Sequence, residues 1–354
     1  MGVLSRNVQR RATLMSYARL DRGFTKRDIT TVLATSHNDT SFGYSENTSV
    51  AQLFSSNNSC LLMPEVTQGP YYVGGEYIRE DIRESQEGVD ITLDYQVIDV
   101  DTCEPVPNVY VEIWHCNSTG VYSGVVANGN GDSSDESNID NTFLRGIVKT
   151  DNDGVAQFQS LFPGFYTGRT NHIHVMVHAN ATEYANKTLG NEVYASHVGQ
   201  AFFDQTLIQA VMQEYPYSDN TQSQMMNADD SILSEEAGTD NIDPLMSYSL
   251  LGDTVADGLL AWLAFGINTS YTNEVTPAAF LYQSGGVENQ NSGMGGGPGG
   301  GNGGPGGPPP SGSAGSGGSS STEAPTSGAQ QTGSIQDWVM LAWVVVGVQV
   351  YLHL

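Results

Sequence analysis

Cysteine is scarce in this chain: Cys60, Cys103 and Cys116 are too few for a disulfide scaffold and lack the paired spacing of a zinc ribbon. One bridge and one leftover thiol is the simplest arrangement. Cys60 with Cys103 is the expected pair, because Cys116 sits in an apolar strand where a buried thiol is at home. Positive charge is scarce as well. Against 39 Asp and Glu stand 13 Lys and Arg, a formal net charge of -26. Seven of those cations (Arg6, Arg10, Arg11, Arg19, Arg22, Lys26, Arg27) precede position 28, which leaves six for everything else. A body this acidic repels phosphates, so nucleic acid is excluded as a partner. Convincing long helices are also missing, and the first 27 residues hold no apolar run that could serve as a secretory signal core.

What the chain does contain divides it into four stretches. Residues 1–59 are expected to be a propeptide-like or linker region. Their Arg-rich, acid-poor start alone would suit a mitochondrial presequence, but Lys26-Arg27 is a dibasic pair of the kind cut late in the secretory pathway, with the upstream signal peptide expected to be missing from this sequence. Sequons at Asn38, Asn47, Asn57, Asn117, Asn180, Asn186 and Asn268 favour secretion, Asn117 fitting an unmodified turn residue as well as a glycan. Residues 284–334 are rich in Gly, Pro and Ser and cannot bury enough surface to fold, so a disordered stalk is expected. Residues 335–354 complete the pattern of a glycosylphosphatidylinositol signal: small Ser327-Gly328-Ala329, a polar spacer from Gln330 to Asp337, and a hydrophobic end from Trp338 with no cation after it. A spanning helix is the alternative, and this run is short for one. The expected location is the outer cell surface or wall.

The remaining 60–283 reads as an antiparallel β-sandwich with long loops. Val89 to Val100 and Val109 to Trp114 alternate as half-buried strands, and shorter segments at Gly146 to Lys149, Ala156 to Leu161 and His172 to His178 follow, separated by turn chemistry. Asn128 to Asn141 looks too hydrophilic for core, Phe202 to Glu214 fits one short helix, and Gly258 to Ile267 fits a late buried strand or a short helix.

The chemistry concentrates between Trp114 and His174. His172-Ile173-His174 begins a strand, where i and i+2 share a face, so both imidazoles project to one side as a metal half-site. An H-x-H pair alone fits a wet strand face equally well. Tyr166 in a Pro-Gly turn, Arg169 three residues before His172, and Tyr122 between Gly120 and Gly124 deliver phenols and a guanidinium to the same region. Tyr71, Tyr72 and Trp114 fit either pocket walls or core, with core the better assignment for Trp114.

These residues resemble the intradiol ring-cleavage dioxygenases, in particular their fungal extracellular branch. The resemblance covers roughly Cys60 to Ile267 and rests on W-H-C-N-S-T-G-V-Y-S around Tyr122, the D-x-D-G turn at Asp151 to Gly154, and P-G-F-Y-T-G-R-T-N-H-I-H. It implies a non-haem Fe(III) held by Tyr122, Tyr166, His172 and His174. Two hard anionic oxygens suit ferric iron better than zinc or copper, and a phenol of pKa ~10 binds as phenolate only to a strong Lewis acid. It further implies that a catechol-type aromatic chelates the iron and displaces Tyr166, whose freed phenolate takes a substrate proton, and that O₂ then cleaves the ring between its hydroxylated carbons toward a muconate. Arg169 would stabilise developing negative charge, and Gln200 in H-V-G-Q-A-F-F would orient the site from behind. The chain departs from the bacterial enzymes in having no helical dimerisation domain before the sandwich and a very short loop from Tyr166 to His172. Oligomeric state and ring-substituent preference are left open by these departures. Readings from other classes are a secreted β-sandwich binding module and an inactive relative that keeps iron as structure.

Overall fold

The computed structural model describes residues 29–45, 47–55, 60–190, 193–238 and 242–292. The Arg-rich start, Lys26-Arg27, Asn57, the stalk beyond residue 292 and the hydrophobic tail lie outside the described residues. The protein is an all-β sandwich. One sheet holds β1 (Asp90–Asp99), β4 (Val155–Leu161), β7 (Ser247–Leu250) and β8 (Leu259–Ile267), in the order β7-β8-β1-β4. The other holds β2 (Tyr110–Trp114), β3 (Arg145–Lys149), β5 (His172–His178) and β6 (His197–Phe202), in the order β6-β5-β2-β3.

Alternation explains which faces meet. Ile91, Leu93, Tyr95 and Val97 of β1 enter one core with Val111, Ile113, Ile173, Val175 and Val177 of the facing sheet. All pairings within the two sheets are antiparallel except β8 with β1, which run parallel. A parallel strand is commonly buried on both faces, and β8 is the strand that sequence periodicity leaves ambiguous. Leu259, Ala261, Leu263, Phe265 and Ile267 face the sandwich core, while Leu260, Trp262 and Ala264 pack with Leu53 and Phe54.

The folded region therefore begins before Cys60. Helix α1 (Ile29–Ala34) buries Val32 beside Phe202, Leu233 and Leu245, and buried His37 binds Asp204 at 2.6 Å and Asp243 at 3.1 Å. Two charged partners raise the His37 pKa to about 9 against the opposing effect of burial, the largest single influence, so this tether is ionic at neutral pH. At the other end, Gly285–Glu288 pairs antiparallel with Ala279–Tyr282, carrying the fold into the first residues of the expected stalk. Helix α2 (Gln205–Val211) falls within the expected helical stretch, and α3 (Ser231–Ala237) is an addition. Cys60 and Cys103 form the disulfide, and Cys116 is a buried free thiol.

Candidate metal centre

Strand register lays one row of side chains across the second sheet, on the face turned away from the sandwich core. Gln200 of β6 lies opposite His174 of β5, His174 opposite Trp114 of β2, and Trp114 opposite Arg145 of β3. His172 and Met176 share that face with His174, because alternate residues of a strand point the same way. A second apolar cluster containing Tyr71, Tyr72, Tyr122 and Tyr166 covers the row. Trp114 stacks flat on the His174 imidazole at 4.8 Å, so it packs as expected and also fixes the plane of a candidate ligand.

Tyr122 is delivered by a turn that Asn117 organises. The Asn117 side-chain oxygen accepts from the amides of Thr119 and Val121, and its amide nitrogen donates to Gln86, which commits this sequon to a structural role. Gly120 (φ +84°) lies so close to the Phe165 carbonyl that a Cβ would collide with it, joining the Tyr122 loop to the Tyr166 turn. The polar loop after Tyr122 is a correction to the sequence reading, since two of its residues are buried. Asn130 accepts from the Tyr122 amide at 2.7 Å, and Asn130 and Asn138 donate to the Tyr122 carbonyl at 2.8 and 2.9 Å. Buried backbone groups must be paired, and here no strand is available to pair them. Asn130→Ala should destabilise the protein by about 2–4 kcal/mol, read as a lower urea midpoint with unchanged slope. A shift under about 0.5 kcal/mol would mean that Asn130 is dispensable for holding the loop.

Tyr166 follows the Pro163-Gly164 turn, and its carbonyl accepts from the Arg169 amide at 3.2 Å. His172 Nδ1 donates to the Thr170 carbonyl at 2.7 Å. A carbonyl can only accept, so Nε2 is left bare. That bare nitrogen stands 3.2 Å from His174 Nε2, 3.3 Å from the Tyr122 hydroxyl and 3.5 Å from Arg169 Nη1. The Tyr166 ring packs edge-on against Tyr122 at 5.6 Å and against His172 at 5.7 Å. Tyr71 lies 4.8 Å from the Tyr122 ring and 5.8 Å from the Tyr166 ring.

Burial governs the electrostatics. It is the main cause that pushes the Tyr122 and Tyr166 phenols well above their ordinary range, with Arg169 opposing it at both. It also depresses His172 to about 3 and holds His174 well below the ordinary imidazole range, Arg169 adding to the effect. Neutral imidazoles are the ligand form, and phenols this reluctant to ionise need a strong cation beside them. Among the described residues no three His, Cys, Asp or Glu gather into a metal cluster. The donors that do converge here are two imidazoles and two phenols. His174 Nδ1 is buried without a hydrogen-bond partner, while one His172 nitrogen faces three polar groups. The donor set fits a hard, highly charged ion.

Arg169 and Gln200 meet at this centre, Nη2 to Oε1 at 2.7 Å, and Gln200 Nε2 donates to Thr67 at 3.1 Å. Gly69 in the Gln68-Gly69-Pro70 turn lies against the imidazole of His174, where a Cβ would come within 2.8 Å of Cε1. Sequence reasoning did not find Asp230, which binds Arg169 at 2.8 Å, nor Glu236, which accepts from the Gln200 amide at 2.8 Å. Asp230 preceding Ser-Ile-Leu-Ser-Glu-Glu is a helix N-cap signal that could have located α3. Arg145 was also missed. It is buried, donates to the Ser123 and Tyr71 carbonyls at 2.7 Å each, and so ties two walls of the centre together.

A protein-family profile described as Dioxygenase matches residues 67–189. The chain is 33% identical over 108 residues to catechol 1,2-dioxygenase of Pseudomonas sp. (strain EST1001), covering 29% of this chain and 32% of that one. It is 33% identical over 109 residues to catechol 1,2-dioxygenase 1 of Acinetobacter lwoffii, with the same coverage. The chain thus spans about a third of the length of the curated relatives it matches. Among solved structures, the intradiol ring-cleavage dioxygenase from Tetranychus urticae is 31% identical, with 60% of this chain and 97% of that chain covered and a TM-score of 0.49.

Proposed function

From the similarity of residues 67–189 to the Dioxygenase family profile and of part of the chain to catechol 1,2-dioxygenases, we propose that this protein is an intradiol non-haem Fe(III) dioxygenase that cleaves a catechol-type aromatic between its two hydroxylated carbons. The observation that carries the reading is the approach of His172 Nε2 to His174 Nε2 and to the Tyr122 hydroxyl, at 3.2 and 3.3 Å, with Tyr166 packed against both Tyr122 and His172. Tyr122, Tyr166, His172 and His174 would hold the ion. A ferric ion held there would supply the Lewis acidity that ionises the phenols and activates a dihydroxylated ring.

The protein's own groups divide the remaining work. Tyr166 is the less buried phenol, 9% exposed against 0% for Tyr122. Burial makes its anion costly, so a free Tyr166 phenolate would readily take a proton at Oη from an incoming hydroxyl. Arg169, positioned by Gln200 Oε1, is aimed at the same centre and stabilises negative charge that develops there. Tyr71, packed over both phenols, closes the apolar wall and keeps water from the reacting ring.

Labelled oxygen tests the reaction class. With ¹⁸O₂ and catechol, both atoms should enter an acyclic dicarboxylate, measured by mass spectrometry, and an extradiol semialdehyde would sink the proposal. We place the enzyme outside the cell, tethered by a glycosylphosphatidylinositol anchor, on the order of small residues, spacer and hydrophobic end in the tail. Phosphatidylinositol-specific phospholipase C should release it from intact membranes, whereas recovery of the Trp338 to Leu354 peptide from mature protein would exclude this anchor.

A further inference from the structure

Arg169 does not face the candidate centre as a free cation. Its Nε donates to Asp230 Oδ2 at 2.8 Å and its Nη2 lies 3.3 Å from Oδ1, so the fork of the guanidinium is matched by one carboxylate. Asp230 is itself immobilised. Oδ2 also accepts from the Thr170 amide at 3.0 Å, and Oδ1 accepts from the Ile232 and Leu233 amides at 3.0 and 3.1 Å. The ion-pair partners' side chains are 14% and 0% exposed, so solvent screens this pair little. Asp230 lies outside the family-matched segment and, as the cap of α3, reaches the centre only through the tertiary fold.

Four of the other cations of the described residues are committed elsewhere. Arg79 binds Glu84, Arg83 binds Asp81 and Asp90, Lys187 binds Glu183, and Lys149 lies over the Tyr110 ring. Arg145, in the wall of the centre, is held by the Ser123 and Tyr71 carbonyls with Glu76 at 3.7 Å, and its Nη1 is buried without a hydrogen-bond partner. A ring carboxylate entering beside Arg169 would lose its hydration without gaining a net counter-charge from the Arg169–Asp230 pair.

We propose that Asp230 determines which catechols the site accepts: it holds Arg169 as an oriented hydrogen-bond donor to the centre while offsetting its net charge, so the pocket takes uncharged catechols and disfavours those with a carboxylate on the ring. This rests on the catechol-cleaving reading of the same centre. The test uses the full iron-loaded chain and measures anaerobic Kd for catechol and for 3,4-dihydroxybenzoate by titrating visible absorption, with iron content measured in parallel. The native protein should prefer catechol by at least about tenfold. Asp230→Asn keeps the shape and a good helix cap but leaves Arg169 uncompensated. It should cut that preference by about tenfold with iron content unchanged. Arg169→Gln leaves Asp230 unopposed and should move the preference the opposite way, which keeps the idea testable if Asp230→Asn does not fold. Asp230→Glu should retain the native preference. A purely structural role would weaken both ligands alike, and an unchanged ratio in Asp230→Asn and Arg169→Gln overturns the proposal. Native protein that binds the carboxylated ring as tightly as catechol also overturns it, and leaves the proposed function standing. If neither ligand perturbs the spectrum, the proposed function fails and takes this inference with it.

Discussion

His174→Ala is expected to abolish stoichiometric ferric binding and, with it, the red to burgundy tyrosinate-to-iron absorption that the native protein should show. Losing a hydrogen bond that merely supports a ligand costs about 10–100-fold in metal affinity, and losing a neutral donor itself should cost more. Iron analysis after reconstitution and gel filtration reads the outcome. Removing the imidazole also unstacks Trp114 and empties the space beside Gly69. A near-ultraviolet dichroism spectrum and a thermal melt on the same sample separate loss of metal from loss of fold. A folded His174→Ala protein that keeps one iron per chain would falsify the ligand assignment. Acid should also destabilise the metal-free fold. The His172 pKa is about 3 in the fold and near 6.5 when unfolded. Below pH ~6.5 the unfolded chain gains a proton that the fold refuses, so this residue lowers stability progressively as pH falls toward about 3.

Arg169→Ala should lower turnover by about 10²–10³-fold while iron content stays near native, as for removal of one preorganised charge-stabilising donor. The separation is the diagnostic feature, because Arg169 Nη1 comes to 3.5 Å of His172 Nε2 without being a donor to metal. Truncation also strands the buried Asp230 carboxylate, which should cost about 3–5 kcal/mol of stability. Arg169→Lys keeps the charge but not the two-pronged fit to Asp230, and should fall between native and alanine in turnover. Parallel loss of iron and turnover in the alanine variant would reduce Arg169 to a structural residue. Both outcomes are read from one preparation, by metal analysis and by oxygen uptake with catechol.

The candidate centre could be found in the sequence because its parts are local. Side chains alternate along a strand whatever the strand packs against, so His172 and His174 had to share a face. Tyr122 and Tyr166 sit in short turns marked by Gly and Pro, and those turns stand out in the chain as they do in the fold. The row from Gln200 through His174 and Trp114 to Arg145 could not be read that way. Register between strands far apart in sequence is set by the match of whole buried faces, which no single strand contains.

Composition by itself decided that the chain is acidic and carries a long Gly/Pro/Ser tract, and local alternation decided that its folded part is β, since neither depends on distant partners. Tertiary structure decided where the fold begins. The apolar side chains of residues 29–55 are no denser than in the chain as a whole, and Leu53 and Phe54 gain their meaning only because Trp262 presents an otherwise bare face. It likewise decided that Asn130 and Asn138 go inside, because a polar amide is buried only where a particular carbonyl needs it. Asp230 belongs to the same class. Its pairing with Arg169 spans 61 positions, and a contact that distant is created by the packing of α3 against the sheet and has no local sequence pattern of its own.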